Sequence, residues 1–221
     1  MKKMKNKRYF TFLKYIPLAL CIILIILYLS NKDKITVQTI INYTPKNQLT
    51  AALVLLSLYA LKSLSIVFPI IILEVASSQL FPTIIAFIIN MLGIILGMVI
   101  SYFVGYFSGS SAVEKITQKY PIIEKFIKKQ SKSPFFTCFL LRTLTVFPRE
   151  AVSIYSGAVR FPFGIYLLAG TLGSIPNTIL ATLFGANVTE PTSPAFWISI
   201  LLMLILAGGS FLVYNKLVKD K

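Results

Sequence analysis

Long apolar runs broken by short polar words dominate the chain. Residues 15–30, 83–107, 161–184 and 195–214 each approach the ~20 apolar residues that cross a hydrocarbon core. Between the first and second runs, and again between the second and third, lie shorter apolar arms at 49–67 and 134–147, each ending at a Phe-Pro dipeptide, Phe68-Pro69 and Phe147-Pro148. A carboxylate follows each one, at Glu74 and Glu150, and then a second Phe-Pro, at 81–82 and 161–162, opens a long helical run. The run from Phe81-Pro82 to Met91-Leu92-Gly93 returns later, with its spacing unchanged and without a gap, as Phe161-Pro162 to Thr171-Leu172-Gly173. The chain therefore reads as two related halves, a pattern common in transporter folds.

Proline removes a backbone donor and disfavours helix in the residue before it, so Pro69 and Pro148 should break the chain at membrane depth, with Gly157 as a further break in the second half. Broken backbone is tolerated there only when protein covers it or a wet cavity satisfies it. Two geometries fit, a re-entrant hairpin or a proline kink in a spanning helix.

Charge chooses between them. Lys2, Lys3, Lys5, Lys7, Arg8 and Lys14 place the N-terminus in the cytoplasm, and Lys216, Lys219 and Lys221 do the same for the C-terminus. The linker 108–133 carries six lysines against Glu114 and Glu124, and it too should be cytoplasmic. Two fully crossing arms would put that linker outside. Two arms that turn back leave four spanning helices and all Lys-rich segments inside. The expected fold is thus an all-α integral membrane protein with about four spanning helices and two opposed re-entrant hairpins forming an inverted repeat. Residues 1–48 would hold the basic segment, first helix and external loop, 49–190 the core, and 191–221 the last helix and basic tail. The linker reads equally as an amphipathic helix on the inner leaflet or as a solvated basic loop.

Composition agrees: 56% of the 221 residues are hydrophobic and 13% charged, and mean hydropathy is +0.79. The net charge of +15 lies almost wholly outside the apolar runs, which points to topology and anionic lipid headgroups rather than nucleic acid. No secretory cleavage site follows the first apolar run, so it reads as an uncleaved helix. With no His, with Asp only at Asp33 and Asp220, and with Cys21 and Cys138 far apart, triads, zinc sites and paired aspartates are out of reach. No cofactor, metal or enzymatic activity is expected.

Ionisable groups in apolar sequence cost about 2.5 to 3.5 kcal/mol each on insertion scales and imply pairing or a watery path. Here they are Lys62, Glu74, Arg142, Arg149 and Glu150. Arg142 and Arg149 flank the second break, where their forks suit a carboxylate or a phosphate. Glu74 would neutralise one of them or exchange a proton, and Arg142 with Glu150 is either a permanent ion pair or a site that changes partners. Lys62, near a helix end, reads as a lysine that snorkels to the interface.

The words Leu140-Leu141-Arg142, Phe147-Pro148, Tyr155-Ser156-Gly157, Phe161, Gly173-Ser174-Ile175-Pro176 and Gly185 resemble the pattern of the DedA family, also called VTT-domain or SNARE-associated Golgi-type proteins. Phe68-Pro69, Glu74, Phe81 and Gly93 resemble its first hairpin, so the likeness spans roughly residues 49–190. It implies facing re-entrant loops and lipid scramblase or flippase activity, in bacteria often discussed for undecaprenyl phosphate. By position Glu74 matches the family's acidic residue and Arg142 its basic one. The chain departs from the pattern at Arg149-Glu150, where an aromatic and Asn are usual, and at Ala76-Ser77-Ser78, where Gly is usual. The expected function is translocation of an anionic lipid in the plasma membrane, with Arg142, Arg149, Glu74 and Glu150 binding it. A proton-coupled transporter of a small solute or ion and a non-transporting membrane-homeostasis protein remain the alternatives.

Overall fold

The structure, a computed structural model, describes residues 37–45, 47–65, 68–109, 113–114, 118, 134–144 and 148–219. The first apolar run, Cys21, nearly all of the basic linker and Phe147 lie outside the described residues. Everything regular among the described residues is helical: α1 (Val37–Tyr43), α2 (Gln48–Lys62), α3 (Ile71–Leu80), α4 (Thr83–Ser108), α5 (Pro134–Thr143), α6 (Arg149–Ala158), α7 (Phe163–Asn187) and α8 (Pro194–Lys219).

Local chemistry sets the boundaries. Asn47 caps α2 through its side-chain oxygen, which accepts from the amides of Leu49 at 3.0 Å and Thr50 at 3.2 Å. Phe81, forced out of helix by the proline after it, is extended at φ −131° and ψ 153°, and Pro82 then caps α4. Pro162 opens α7 the same way. Pro69 and Pro148 lie in the non-helical chain between α2 and α3 and between α5 and α6, as breaks should. Gly157 does not break the chain. It sits inside α6, where a side chain would strike the backbone of α4, and its role is close contact rather than interruption. The break after α6 falls at Val159 and Arg160 instead, where Arg160 takes a left-handed φ of 54° and the amide of Phe161 reaches back to the carbonyl of Ser156 at 2.9 Å.

Among the described residues two helices, α4 and α7, are long and apolar enough to cross a membrane. They run antiparallel: Tyr102 of α4 meets Phe163 and Tyr166 near the start of α7, while Asn90 meets Thr182 near its end. The short helices lie against them in two pairs. Helix α2 follows α4, with Leu55 near Ala86, Tyr59 on Gly93 and Ser63 beside Gly97. Helix α3 then comes back, with Leu73 near Ile94 and Met98 and Ala76 near Ala86 and Ile89. Both outer ends of this pair therefore lie where α4 begins. The second pair behaves alike at the other end. Helix α5 follows α7, with Cys138 beside Tyr166 and Thr143 bonded to Gly173, and α6 returns to set Gly157 against Tyr102 and Tyr106.

Small residues carry these contacts, and they recur at the offset that relates Phe81 to Phe161. Gly93 meets Tyr59, and Gly173 meets Phe139; Gly105 meets Ile154, and Gly185 meets Val75 and Ser78. In each half the first short helix packs on its own long helix, and the second packs on the long helix of the other half. Helix α8 packs only on α7 among the stronger pairings, and Trp197, Leu201, Leu204 and Ile205 remain exposed.

The distribution of polarity is inverted relative to a water-soluble protein. Ser77, Asn90, Ser174 and Thr178 are wholly buried, while Ile84, Phe107, Leu168 and Leu212 face outward. Small and hydroxylated residues at helix contacts with apolar groups outside are what a hydrocarbon solvent selects, because burying Leu gains nothing there.

Candidate functional site

The inner ends of the two helix pairs meet, and the buried Lys62, Glu74, Arg142 and Glu150 gather there with the half-buried Arg149. Lys62 closes α2, Glu74 lies in the first turn of α3, Arg142 in the last turn of α5, and Arg149 with Glu150 opens α6. The ion pairs run between the pairs of helices rather than within them. Lys62 Nζ donates to Glu150 Oε1, and Arg149 Nη1 lies 3.9 Å from Glu74 Oε1. The second distance is too long for a hydrogen bond, and neither of those two atoms has a hydrogen-bond partner among the described residues.

Arg142 has no carboxylate partner among the described residues. Its Nη2 donates to the hydroxyls of Ser153 and, at 2.7 Å, Tyr166, whose ring lies 5.7 Å from the guanidinium carbon. Its Nε is buried without a partner. Three cations thus share two carboxylates, and the excess positive charge is held in a region where charge is costly unless it is compensated. A cavity of about 20 Å³, room for about one water, is lined by residues that include Lys62, Arg142, Arg149, Glu150 and Ser153.

Beneath the charges lies a fully satisfied polar knot. Asn90 Oδ1 accepts from Tyr59 at 2.8 Å and from Ser77, and Asn90 Nδ2 donates to Thr182 Oγ1 at 3.0 Å and to the Glu74 carbonyl at 3.4 Å. Four segments are tied by one amide, which fixes where Glu74 stands. Further along, Asn177 donates to the carbonyls of Thr143, at 3.1 Å, and Arg142, at 3.4 Å, which satisfies backbone at the end of α5 where Pro148 has stopped the helix.

The four candidate residues Arg142, Arg149, Glu74 and Glu150 are therefore neighbours, and Glu74 faces Arg149, one of the two arginines expected for it, whereas the partner of Glu150 differs from expectation. Arg142 and Glu150 do not form an ion pair, because Glu150 is taken by Lys62. Lys62 is buried, 8% exposed, and does not snorkel outward, because α2 ends inside the protein rather than at its surface. One signal for Lys62 lies in the chain: the offset that carries Phe81 onto Phe161 carries Lys62 onto Arg142, so the two hold equivalent places in the repeat.

A family model for the VTT domain matches residues 68–187, from the first Phe-Pro to the end of α7, and so holds the second break, both long helices and four of the five charged residues. The chain belongs to the VTT-domain, or DedA, family. With its two long apolar helices this makes it a membrane protein. It is also similar to a Bacillus subtilis (strain 168) protein described as uncharacterized protein YqeD, 29% identical over 76 residues, which is 34% of this chain and 36% of the relative. The chain thus spans about a third of that relative's length. No solved structure matches it. Lys62 falls outside the residues that the family model matches.

Proposed function

We propose that this VTT-domain protein moves an anionic, phosphate-bearing lipid between the leaflets of the plasma membrane, without enzymatic chemistry. One observation carries the reading: a largely buried cluster of three cations and two carboxylates, in which Arg142 has, among the described residues, only hydroxyl partners and keeps an N–H without an acceptor. A guanidinium so placed is a receptor for an oxyanion, and Arg149 beside it supplies a second fork. Glu74 and Glu150 then reset the site by pairing with the cations or by taking a proton. A polyprenyl phosphate fits this chemistry, as does an anionic phospholipid.

The topology of this proposal has two re-entrant hairpins, α2–α3 and α5–α6, entering from opposite faces as an inverted repeat with both termini cytoplasmic. Its support is the return of each pair to the end from which it started, and the recurrence of the Gly93 and Gly105 contacts at Gly173 and Gly185. Cysteine accessibility along residues 60–80 and 140–158 tests it. Labelling of both ends of one pair from one face agrees with it, and labelling from opposite faces defeats it.

For function, the purified protein in vesicles should accelerate transbilayer movement of a labelled anionic lipid, and Arg142→Ala should abolish the acceleration. Equal rates would defeat the reading. A second reading, a proton-coupled transporter of a small solute or ion, is favoured by Glu74, whose Oε1 is buried without a hydrogen-bond donor. Solute-dependent proton flux with unchanged lipid distribution would select it.

A further inference from the structure

Resting on that reading, we infer that Glu150 is an internal stand-in for the phosphate, and that Lys62 is the third cation of the binding site, released when the phosphate displaces the carboxylate. Size makes the first argument. The cavity among the cations holds about 20 Å³, about the space of one water, and a phosphate with four oxygens does not fit beside the groups already there. A group that lines the cavity has to move aside.

Geometry then says which group. Glu74 is anchored away from the cavity, its carbonyl bonded to Asn90 and its helix packed on α7 through Gly185, and it does not line the cavity. Glu150 does line it, together with Lys62, Arg142 and Arg149. Among the described residues its carboxylate is held by a single side-chain partner, Lys62, from the opposite hairpin. Swinging Glu150 aside opens space and leaves Lys62 without a counter-ion, facing the same cavity as two guanidiniums. A carboxylate and a phosphate oxygen ask the same of an ammonium group, so one replaces the other without leaving a buried charge bare.

Symmetry makes the second argument. Lys62 and Arg142 are related by the internal repeat, each in the last turn of the first arm of its hairpin. Their hairpins approach from opposite ends, so a phosphate between them touches one cation from each half. The ligand class is accordingly a phosphate monoester or diester headgroup whose oxygens span two hairpins, and its tail leaves the site toward the bilayer.

Glu150 therefore competes with the ligand, so removing its charge should tighten binding, although the residue lies in the site. The experiment measures thermal protection of the full chain in detergent by phosphatidic acid and, separately, by inorganic phosphate. Glu150→Gln, which keeps an oxygen for Lys62, should bind phosphatidic acid about tenfold more tightly than wild type, the size of one charge-assisted hydrogen bond no longer contested. Equal or weaker binding overturns the stand-in. The double variant Lys62→Gln with Glu150→Gln should lose that gain, and retention of it overturns the role of Lys62. Glu150→Asp, with its shorter reach, should fall between wild type and Glu150→Gln and covers the case of a Gln variant that fails to fold. Protection by inorganic phosphate with none by phosphatidic acid overturns the lipid headgroup as ligand. Should Arg142→Ala bind as wild type does, the underlying translocation reading fails instead, whatever Glu150→Gln does.

Discussion

Adding one methyl group at Gly105 should separate α4 from α6 and disable the site without touching it. A Cβ built there lies 2.7 Å from the carbonyl carbon and 2.8 Å from the Cα of Ile154, with the carbonyl oxygen closer still. Since about 3.4 Å is the onset of ordinary contact and the carbonyl oxygen is the nearest atom, the two backbones have to part by more than about 1 Å. No flexible side chain is available to yield, because the obstacle is main chain. Overpacking of this kind costs about 1–3 kcal/mol, against a gain of about 1 kcal/mol from replacing Gly by Ala within a helix. A backbone obstacle belongs at the upper end of that range, so a net loss of about 2 kcal/mol is expected. Helix α6 carries Arg149, Glu150 and Ser153, and its retreat draws Glu150 from Lys62 and Ser153 from Arg142. The assay pairs thermal unfolding in detergent with lipid movement in vesicles, and Gly164→Ala, where nothing lies within 4 Å of the added atom, is the control. If Gly105→Ala melts with wild type and retains translocation while Gly164→Ala behaves the same, the close approach of α4 and α6 is not real.

Arg142→Lys should leave at least one of the Ser153 and Tyr166 hydroxyls without a donor and slow lipid movement at least tenfold in vesicles, since an ammonium cannot reproduce the fork. Asn90→Ala deprives Tyr59, Ser77 and Thr182 of their shared partner and should cost about 2–4 kcal/mol, the sum of several unmade buried bonds, read from unfolding in detergent. Tyr59→Phe keeps the ring against Gly93 and gives up one bond, so a loss of about 1 kcal/mol is expected in the same measurement. A Lys62→Met variant leaves Glu150 buried without a cation and should destabilise by about 3–5 kcal/mol, and Lys62→Met with Glu150→Gln should recover much of it.

Much of the architecture can be read from short words. The Phe-Pro pairs locate the breaks between α2 and α3, α3 and α4, α5 and α6, and α6 and α7, because proline acts on its own backbone and its predecessor, a local effect that needs no tertiary knowledge. The internal repeat likewise anticipates which glycines are equivalent, although not that Gly105 and Gly185 each serve the opposite half. Partner choice in the charge cluster is less legible. Arg142 and Glu150 are close in sequence, but α5 and α6 are separate arms, and the orientation that α6 takes against Gly105 aims Glu150 at Lys62. Lys62 itself reads as a surface anchor until α2 is known to end inside the molecule. Asn90 escapes a reading that weighs only charges, though a lone amide in the middle of an apolar run is a fair signal of a buried hub. Gly157 misleads because a glycine near prolines suggests a break, whereas its missing side chain serves the contact with Tyr102.

The exchange of second arms between halves bears on how the protein is made. When the ribosome has released the chain only through α4, Val75 and Ser78 have no Gly185 to lie against, and Asn90 has no Thr182 to receive its amide. Helix α3 must wait, with Ser78 and Gln79 lacking their contacts at Gly185, until α7 is added. The first hairpin is thus completed by the last third of the chain, and a fragment ending before residue 163 should be prey to membrane quality-control proteases even though it contains every residue of that hairpin.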